Sequence, residues 1–354
     1  MPTLLDPLTI RNVTFRNRVG ISPMCMYSSD DGMPNDWHLM HLGARAAGGS
    51  GLTITEASAV EPRGRITPRD AGLWNDSQAQ AWSRIVRFAQ AQGAKIGTQL
   101  AHAGRKASTD VPWSGGKPLT DDRAWQTVAP SALPFDEGWH VPSAMDAAAI
   151  HGIIDAFARS AQLAVSAGFD FVEVHGAHGY LLHEFYSPLS NRREDEYGGS
   201  FAGRTKLLRE IARRVRSVIP DAMPMFVRLS CTDWVEGGWT TQESVELSRQ
   251  LKALGTDVID CSSAANVPRA QISVGPGYQV PFARQIRAEA GIATAAVGMI
   301  TAAEQANAII EGGDADVVLL ARASLRDPNF AIRAANDLGR DTAPLVPNQY
   351  ARSW

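Results

Sequence analysis

Cysteine is scarce in this chain: Cys25, Cys231 and Cys261 are widely spaced and odd in number. Three such residues make neither a disulfide framework nor a structural zinc site, and they point to a reducing cytoplasm. An excess of one charge is missing too. The 34 Lys and Arg nearly match the 37 Asp and Glu, leaving a net charge of -3, so no basic surface invites nucleic acid or an anionic membrane. Long apolar runs are absent, with nothing near the ~20 residues of a membrane span. The amino terminus, MPTLLDPLTIRNVTF, lacks the basic segment and apolar stretch of a signal peptide. The Asn12-Val13-Thr14 and Asn75-Asp76-Ser77 sequons are then coincidences. No GxGxxG follows the first strand, and Gly116-Lys117 lacks both the upstream Gly and the Ser/Thr of a P-loop. His183-Glu184 begins like HExxH, but Ser187 stands at the second His. Neither a solenoid repeat nor a low-complexity tract occurs.

What is present is globular: 354 residues, 44% hydrophobic, with 31 Gly and 20 Pro, a size suited to one α/β barrel. Short apolar runs recur at Arg18–Pro23, Leu52–Ala57, Lys95–Ala101, Phe171–His175, Met225–Leu229, Val258–Ser262, Ala293–Val297 and Asp316–Ala321. Each is continuous rather than alternating, as in parallel strands covered on both faces. Amphipathic stretches such as Ala79–Gln92, Ala147–Ala167, Thr205–Val218, Thr241–Leu254 and Thr301–Glu311 lie between them. Eight strand-helix units predict a single (β/α)8 TIM barrel over residues 1–354. Residues 104–143, rich in Pro, Trp and Asp, interrupt the rhythm after strand three. That length predicts a lid over the carboxyl face, although an excursion that only packs on the barrel would read the same.

Barrel strands converge at their carboxyl ends, so those ends form a set. Strand four runs into VHGAHGYLLHEF, Val174–Phe185, where His175, His178 and Tyr180 emerge together. Two imidazoles can donate to one oxygen and a phenol beside them can release a proton. A metal site or two incidental loop histidines fit this spacing equally well. Strand one gives Ser22-Pro23-Met24-Cys25-Met26-Tyr27, strand two Glu56-Ala57, strand three Gln99 and His102, and strand five Arg228. Strand six gives Ser262-Ser263, strand seven Gly298-Met299 and strand eight Ala321-Arg322. Gly298, a helix expected from Thr301, and Arg322 suit a phosphate. Barrel isomerases and aldolases need a Lys or carboxylate base, and these ends offer only Glu56.

Several motifs occur in order: SPMCMYS at Ser22–Ser28, GRIT at Gly64–Thr67, QLAHAGRKA at Gln99–Ala107 and HGAHGYLLHEF at His175–Phe185. SPLSNRREDEYGGS follows at Ser187–Ser200, then VRLS at Val227–Ser230, VGMIT at Val297–Thr301 and QYARSW at Gln349–Trp354. End to end, the chain resembles the Old Yellow Enzyme family of FMN-dependent ene-reductases, in the thermophilic-like branch typified by YqjM and xenobiotic reductase A. The resemblance implies that Ser22, Pro23, Met24, Cys25, Ala57 and Gln99 line the flavin, with Arg228 at its electron-rich edge and Gly298, Ala321 and Arg322 on the FMN phosphate. It implies that His175 and His178 bind a substrate carbonyl, Tyr180 donates the proton, Tyr27 touches substrate, and Cys25 tunes the flavin; without the family, Cys25 reads as an inert strand-end thiol. It further implies NADPH or NADH as donor and small enones or enals as acceptors. A homodimer or homotetramer follows too, in which residues 344–354 lie at the subunit interface and Arg352 enters a neighbour's substrate pocket. Read as an extended segment, Tyr350, Arg352 and Trp354 share one side. Gly203 departs from the family's YGGSxxNR pattern, which has Asn there, and Val297 stands where the xenobiotic reductase A side has Trp. Dienoyl-CoA reductase relatives need an iron–sulfur cluster that three scattered cysteines do not supply. A flavin-binding sensor without turnover would have no use for both histidines and Tyr180.

Overall fold

The computed structural model describes residues 2–354. A hairpin, β1 (Leu8–Ile10) and β2 (Val13–Phe15), precedes β3 (Val19–Ile21), α1 (Asp36–Ala47), β4 (Leu52–Ala59), α2 (Asp76–Ala91) and β5 (Lys95–Ala101). An excursion carrying the two-residue strands β6 (Val128–Ala129) and β7 (Ser143–Ala144) leads to α3 (Ala147–Ala167) and β8 (Phe171–Gly176). Then come α4 (Leu181–Tyr186), α5 (Phe201–Arg204), α6 (Lys206–Arg216), β9 (Met225–Ser230), α7 (Thr241–Ala253) and β10 (Val258–Ser262). The chain finishes with α8 (Val280–Ala290), β11 (Ala293–Ala296), α9 (Ala303–Glu311), β12 (Val317–Leu320), α10 (Arg322–Arg326) and α11 (Phe330–Asp337). Strands β3, β4, β5, β8, β9, β10, β11 and β12 close a parallel barrel in that order, so the fold is the expected TIM barrel.

Helix starts follow their caps. Asn75 accepts from the Gln78 amide, which starts α2 at Asp76 rather than at Ala79. Thr240 and Glu243 form a capping box on α7. The helix expected from Thr301 begins at Ala303, because the Gln305 side chain accepts from the Thr301 amide and holds that residue in the preceding turn.

Inside the barrel two layers differ sharply. At the amino ends of the strands, Phe171 and Phe226 pack at 4.8 Å with their rings tilted by 32°, and Phe15 from the hairpin meets them edge-on at 5.7 and 6.4 Å. This apolar plug fills one end, each buried ring contributing about 1.5–3 kcal/mol. Nearer the carboxyl ends the inward positions become polar: Gln99, Glu173, His175, Arg228 and Asp260, all buried. The excursion of residues 104–143 begins with a 3-10 turn at Gly104–Lys106 and crosses the mouth. Arg105 Nη2 donates to the Asn266 carbonyl at 2.7 Å, and its own amide donates to Glu184 at 2.9 Å, tying it to the loop after β10 and to α4. Among the described residues, no helix is long and apolar enough to cross a membrane.

Candidate active site

Strand β8 carries His175 to the mouth, and the chain then turns through Gly176 and Gly179 to Tyr180 at the start of α4. The rings of His175 and His178 lie 5.1 Å apart at 81°, and Tyr180 lies 5.3 Å from His175. His178 sits in the left-handed region at φ 61°. Its amide donates to Ser230 Oγ at 2.9 Å and its Nε2 lies 2.7 Å from Ser262 Oγ, so the ends of β9 and β10 hold it. Burial, with Arg228 the next influence, holds both histidines well below their ordinary pKa, and they are neutral rings. Burial pushes Tyr180 well above the ordinary phenol range, which keeps its proton on. No group of three or more potential ligands that could hold a metal ion is present among the described residues.

Lys106 crosses above this group. Its Nζ donates to the His178 carbonyl at 2.9 Å and the Ala265 carbonyl at 3.1 Å, and lies 4.9 Å from the Tyr180 ring centre. Burial lowers this amine to about 8. Phe135, from the excursion, covers the same ammonium at 4.7 Å, and Trp113 meets Tyr27 edge-on at 5.9 Å. The excursion therefore lends aromatic surface to the mouth.

Below the histidines lies a charge cluster. His175, Arg228 and Asp260 stand side by side on β8, β9 and β10, and Gln99 faces Glu173 across β5 and β8. Gln99 Nε2 donates to Glu173 Oε1 at 2.8 Å, and Arg228 Nε lies 3.0 Å from Asp260 Oδ2. Glu173 Oε2 and both Asp260 oxygens are buried without a hydrogen bond. One guanidinium cannot balance two carboxylates out of water. Burial, reinforced by Asp260, raises Glu173 to about 8, and burial raises Asp260 to about 6 despite Arg228. The cluster therefore holds a proton near neutral pH.

The remaining expected residues fall into two groups. Ser22 directly follows β3 and donates its amide to the Leu320 carbonyl at 3.0 Å, and Pro23, Met24, Cys25 and Tyr27 follow half-buried at the mouth. Glu56 lies beneath them, accepting from the Met26 amide at 3.1 Å and pairing with His38 at 3.1 Å, so it holds this loop. Burial raises the Cys25 thiol well above its ordinary value, so it is not a thiolate. Ala57 stands opposite Gln99 just past a register shift in β4. Between β11 and β12, Gly298, Ala321 and Arg322 line a cavity of about 540 Å³ with Tyr278, Gln279 and Arg326. Gly298 has φ 123°, and a Cβ there would lie 3.1 Å from Tyr278 and Gln279, so only glycine keeps this wall open. Arg352 joins neither group. It lies in an exposed tail, where a 3-10 turn at Asn348–Tyr350 replaces the extended segment expected.

Glu173, Asp260, Lys106, Phe135, Trp113, Tyr278 and Arg326 are site residues that the sequence reading did not single out. Glu173 and Asp260 did leave a signal, as carboxylates inside the apolar runs FVEVHG and VIDCS.

A parallel barrel with a cavity beside its last two strands and titratable side chains at its carboxyl mouth is the architecture of a cofactor-dependent barrel enzyme. Residues 3–341 match the NADH:flavin oxidoreductase / NADH oxidase family, and the chain belongs to that family. It is 48% identical to an NADPH dehydrogenase of Geobacillus sp. (strain WCH70) over 353 residues, covering 99% of this chain and 98% of the relative. Morphinone reductase in complex with tetrahydroNAD superposes with a TM-score of 0.79 at 27% identity, over 96% of this chain and 92% of that one. A 2-naphthoyl-CoA reductase complex with 2-naphthoyl-CoA gives a TM-score of 0.85 at 25% identity over 96% of this chain, which spans only 52% of that longer protein. The protein is an FMN-dependent oxidoreductase that uses NAD(P)H.

Proposed function

We propose that this enzyme reduces the carbon–carbon double bond of small α,β-unsaturated carbonyl compounds, enones and enals, by a ping-pong cycle at one mouth. The observation that carries the reading is the group of two neutral imidazoles with a fully protonated phenol 5.3 Å from one of them. His175 and His178 donate to the substrate carbonyl oxygen and stabilise the charge that develops there. Tyr180 gives its proton to the α-carbon and recovers one from water. Tyr27 and Trp113 flank the substrate, and the excursion acts as a lid.

The residues present fit FMN. Arg322 and the Gly298–Ala321 wall suit its phosphate end, while Ser22, Pro23, Met24, Cys25, Ala57 and Gln99 offer a lining for a planar ring, with the Arg228 cation beside its electron-rich edge. Bound FMN would supply the two-electron hydride chemistry that links NAD(P)H to the β-carbon of the acceptor. A neighbouring subunit's copy of Arg352 completes the pocket in a homodimer or homotetramer.

The test is an anaerobic titration of the purified protein with NADPH, then with cyclohexenone, followed by initial-rate kinetics. The yellow colour should bleach, return with the enone as saturated ketone forms, and give parallel double-reciprocal plots. Colour that no conjugated carbonyl restores would overturn the reading, and intersecting plots would overturn the ping-pong order.

A further inference from the structure

His183 and Asp233 lie outside the mouth, are wholly buried, and have no part in the chemistry just described. Their geometry nonetheless points at it. The Gly179 amide donates to His183 Nδ1 at 2.9 Å. A ring nitrogen that accepts carries no proton, so the His183 proton is on Nε2. That Nε2 lies 2.8 Å from Asp233 Oδ1 and donates to it. Asp233 Oδ2 accepts from Ser187 Oγ at 2.6 Å and from the Trp239 amide at 2.8 Å. Burial alone would raise this carboxyl, but His183, Ser187 and the Trp239 amide outweigh it, and Asp233 stays below its ordinary range. The imidazole plane is fixed as well, stacked on Tyr186 at 4.6 Å, whose phenol donates to the Gly176 carbonyl at 2.7 Å.

What this arrangement grips is one peptide group. Gly179 has φ 68°, and a Cβ there would lie 2.2 Å from the Ala265 carbonyl oxygen, so the chain is wedged between the loop after β10 and His183. On one side of Gly179 is His178, itself at φ 61°. On the other is Tyr180. A buried amide deprived of its acceptor turns toward another, and here that turn would swing both flanking side chains.

We propose that His183 and Asp233 are positioning residues for the reaction: Asp233 fixes the His183 tautomer, His183 fixes the Gly179 peptide, and that peptide aims the His178 imidazole and the Tyr180 phenol at the substrate. The inference rests on the roles proposed above for His178 and Tyr180. It also assigns the two ring nitrogens different duties, which two substitutions separate. In His183→Asn the side-chain oxygen takes the place of Nδ1 and still accepts from Gly179, while Asp233 loses its donor. In His183→Gln the amide nitrogen reaches where Nε2 stood and still donates to Asp233, while Gly179 loses its acceptor.

The experiment measures kcat for cyclohexenone at saturating NADPH and the thermal midpoint of the FMN-loaded enzyme, with His178→Ala beside it. His183→Gln should hold its midpoint near the parent's and lose kcat by at least about tenfold, the scale on which small misplacements act. His183→Asn should show the lower midpoint yet the higher kcat of the two. If kcat instead follows the midpoint, with Asn the slower, the pair is structural and the proposal falls. Equal kcat in all three proteins also overturns it. Should neither variant fold, nitrogen NMR of the parent decides, since a proton on Nδ1 contradicts the relay and a proton on Nε2 alone supports it. A parent that reduces no enone, or a His178→Ala variant with undiminished turnover, overturns the proposed reaction itself, a result distinct from failure of the relay alone.

Discussion

At the scale of single residues, burial decides what each group can do. His175 and His178 stay neutral because their surroundings desolvate them and Arg228 adds a like charge. Each neutral ring has one N–H to give, and in the proposed reaction both go to the oxygen on which charge develops. His175→Ala and His178→Ala should each cost roughly 2–4 kcal/mol of barrier in enone reduction, as loss of an oxyanion donor does elsewhere. Steady-state kcat/KM measures it, and parent-like values in both variants would refute the assignment. Glu173 supports a second prediction, in which the sign matters. Its pKa rises from 4.5 to about 8 on folding, chiefly by burial. The folded state thus favours the acid form, so this residue's contribution is fully present below 4.5 and is lost as pH rises through about 8. The parent's thermal midpoint should fall across that window more steeply than that of Glu173→Gln, which has no proton to release there. Identical pH slopes would mean that Glu173 is already ionised within the barrel.

At the scale of elements, the excursion after β5 is the piece whose role is least bound to the fold. Trp113 is 71% exposed, so its ring adds little to stability, yet it meets Tyr27 edge-on at the mouth. Trp113→Ala should raise the KM for enone several-fold while leaving the thermal midpoint unchanged. Unaltered KM would reduce the excursion to packing. The elements also explain what could be read from the chain. Barrel strands were legible to within two residues, because buried parallel strands leave continuous apolar runs bounded by turns. That same continuity hid their direction: FVEVHG has no alternation, so nothing in it tells that Glu173 and His175 face inward while Val174 packs outside. The Asn75 cap sits four residues before Ala79, outside the apolar pattern that marks the helix in the sequence. Phe135 and Trp113 reach the mouth by tertiary folding of a long loop, which local pattern does not encode. The clustering of His175, His178 and Tyr180 was legible because all three lie within six residues of one strand end.

For the whole molecule, the open question is whether one barrel makes a complete site. The last six residues, Gln349–Trp354, are exposed throughout, with Tyr350 at 53% and Trp354 at 46%. Their own barrel leaves about half of each of these aromatic residues uncovered. Tyr, Trp and Arg are the residue types that dominate protein–protein contacts. The 3-10 turn at Asn348–Tyr350 moves these side chains off a single extended face. We expect a homo-oligomer, at least a dimer, in which Arg352 of one subunit reaches the substrate pocket of the next. Two variants separate the contact from the chemistry. Deleting Gln349–Trp354 should weaken the dimer in sedimentation and raise the KM for enone, while each barrel keeps its FMN. Arg352→Ala alone should raise KM while Tyr350 and Trp354 keep the dimer, and sedimentation of this variant beside the truncation tells the pocket role from adhesion. A native protein that sediments as a monomer, or a truncated one with parent kinetics, would show that the single barrel is sufficient.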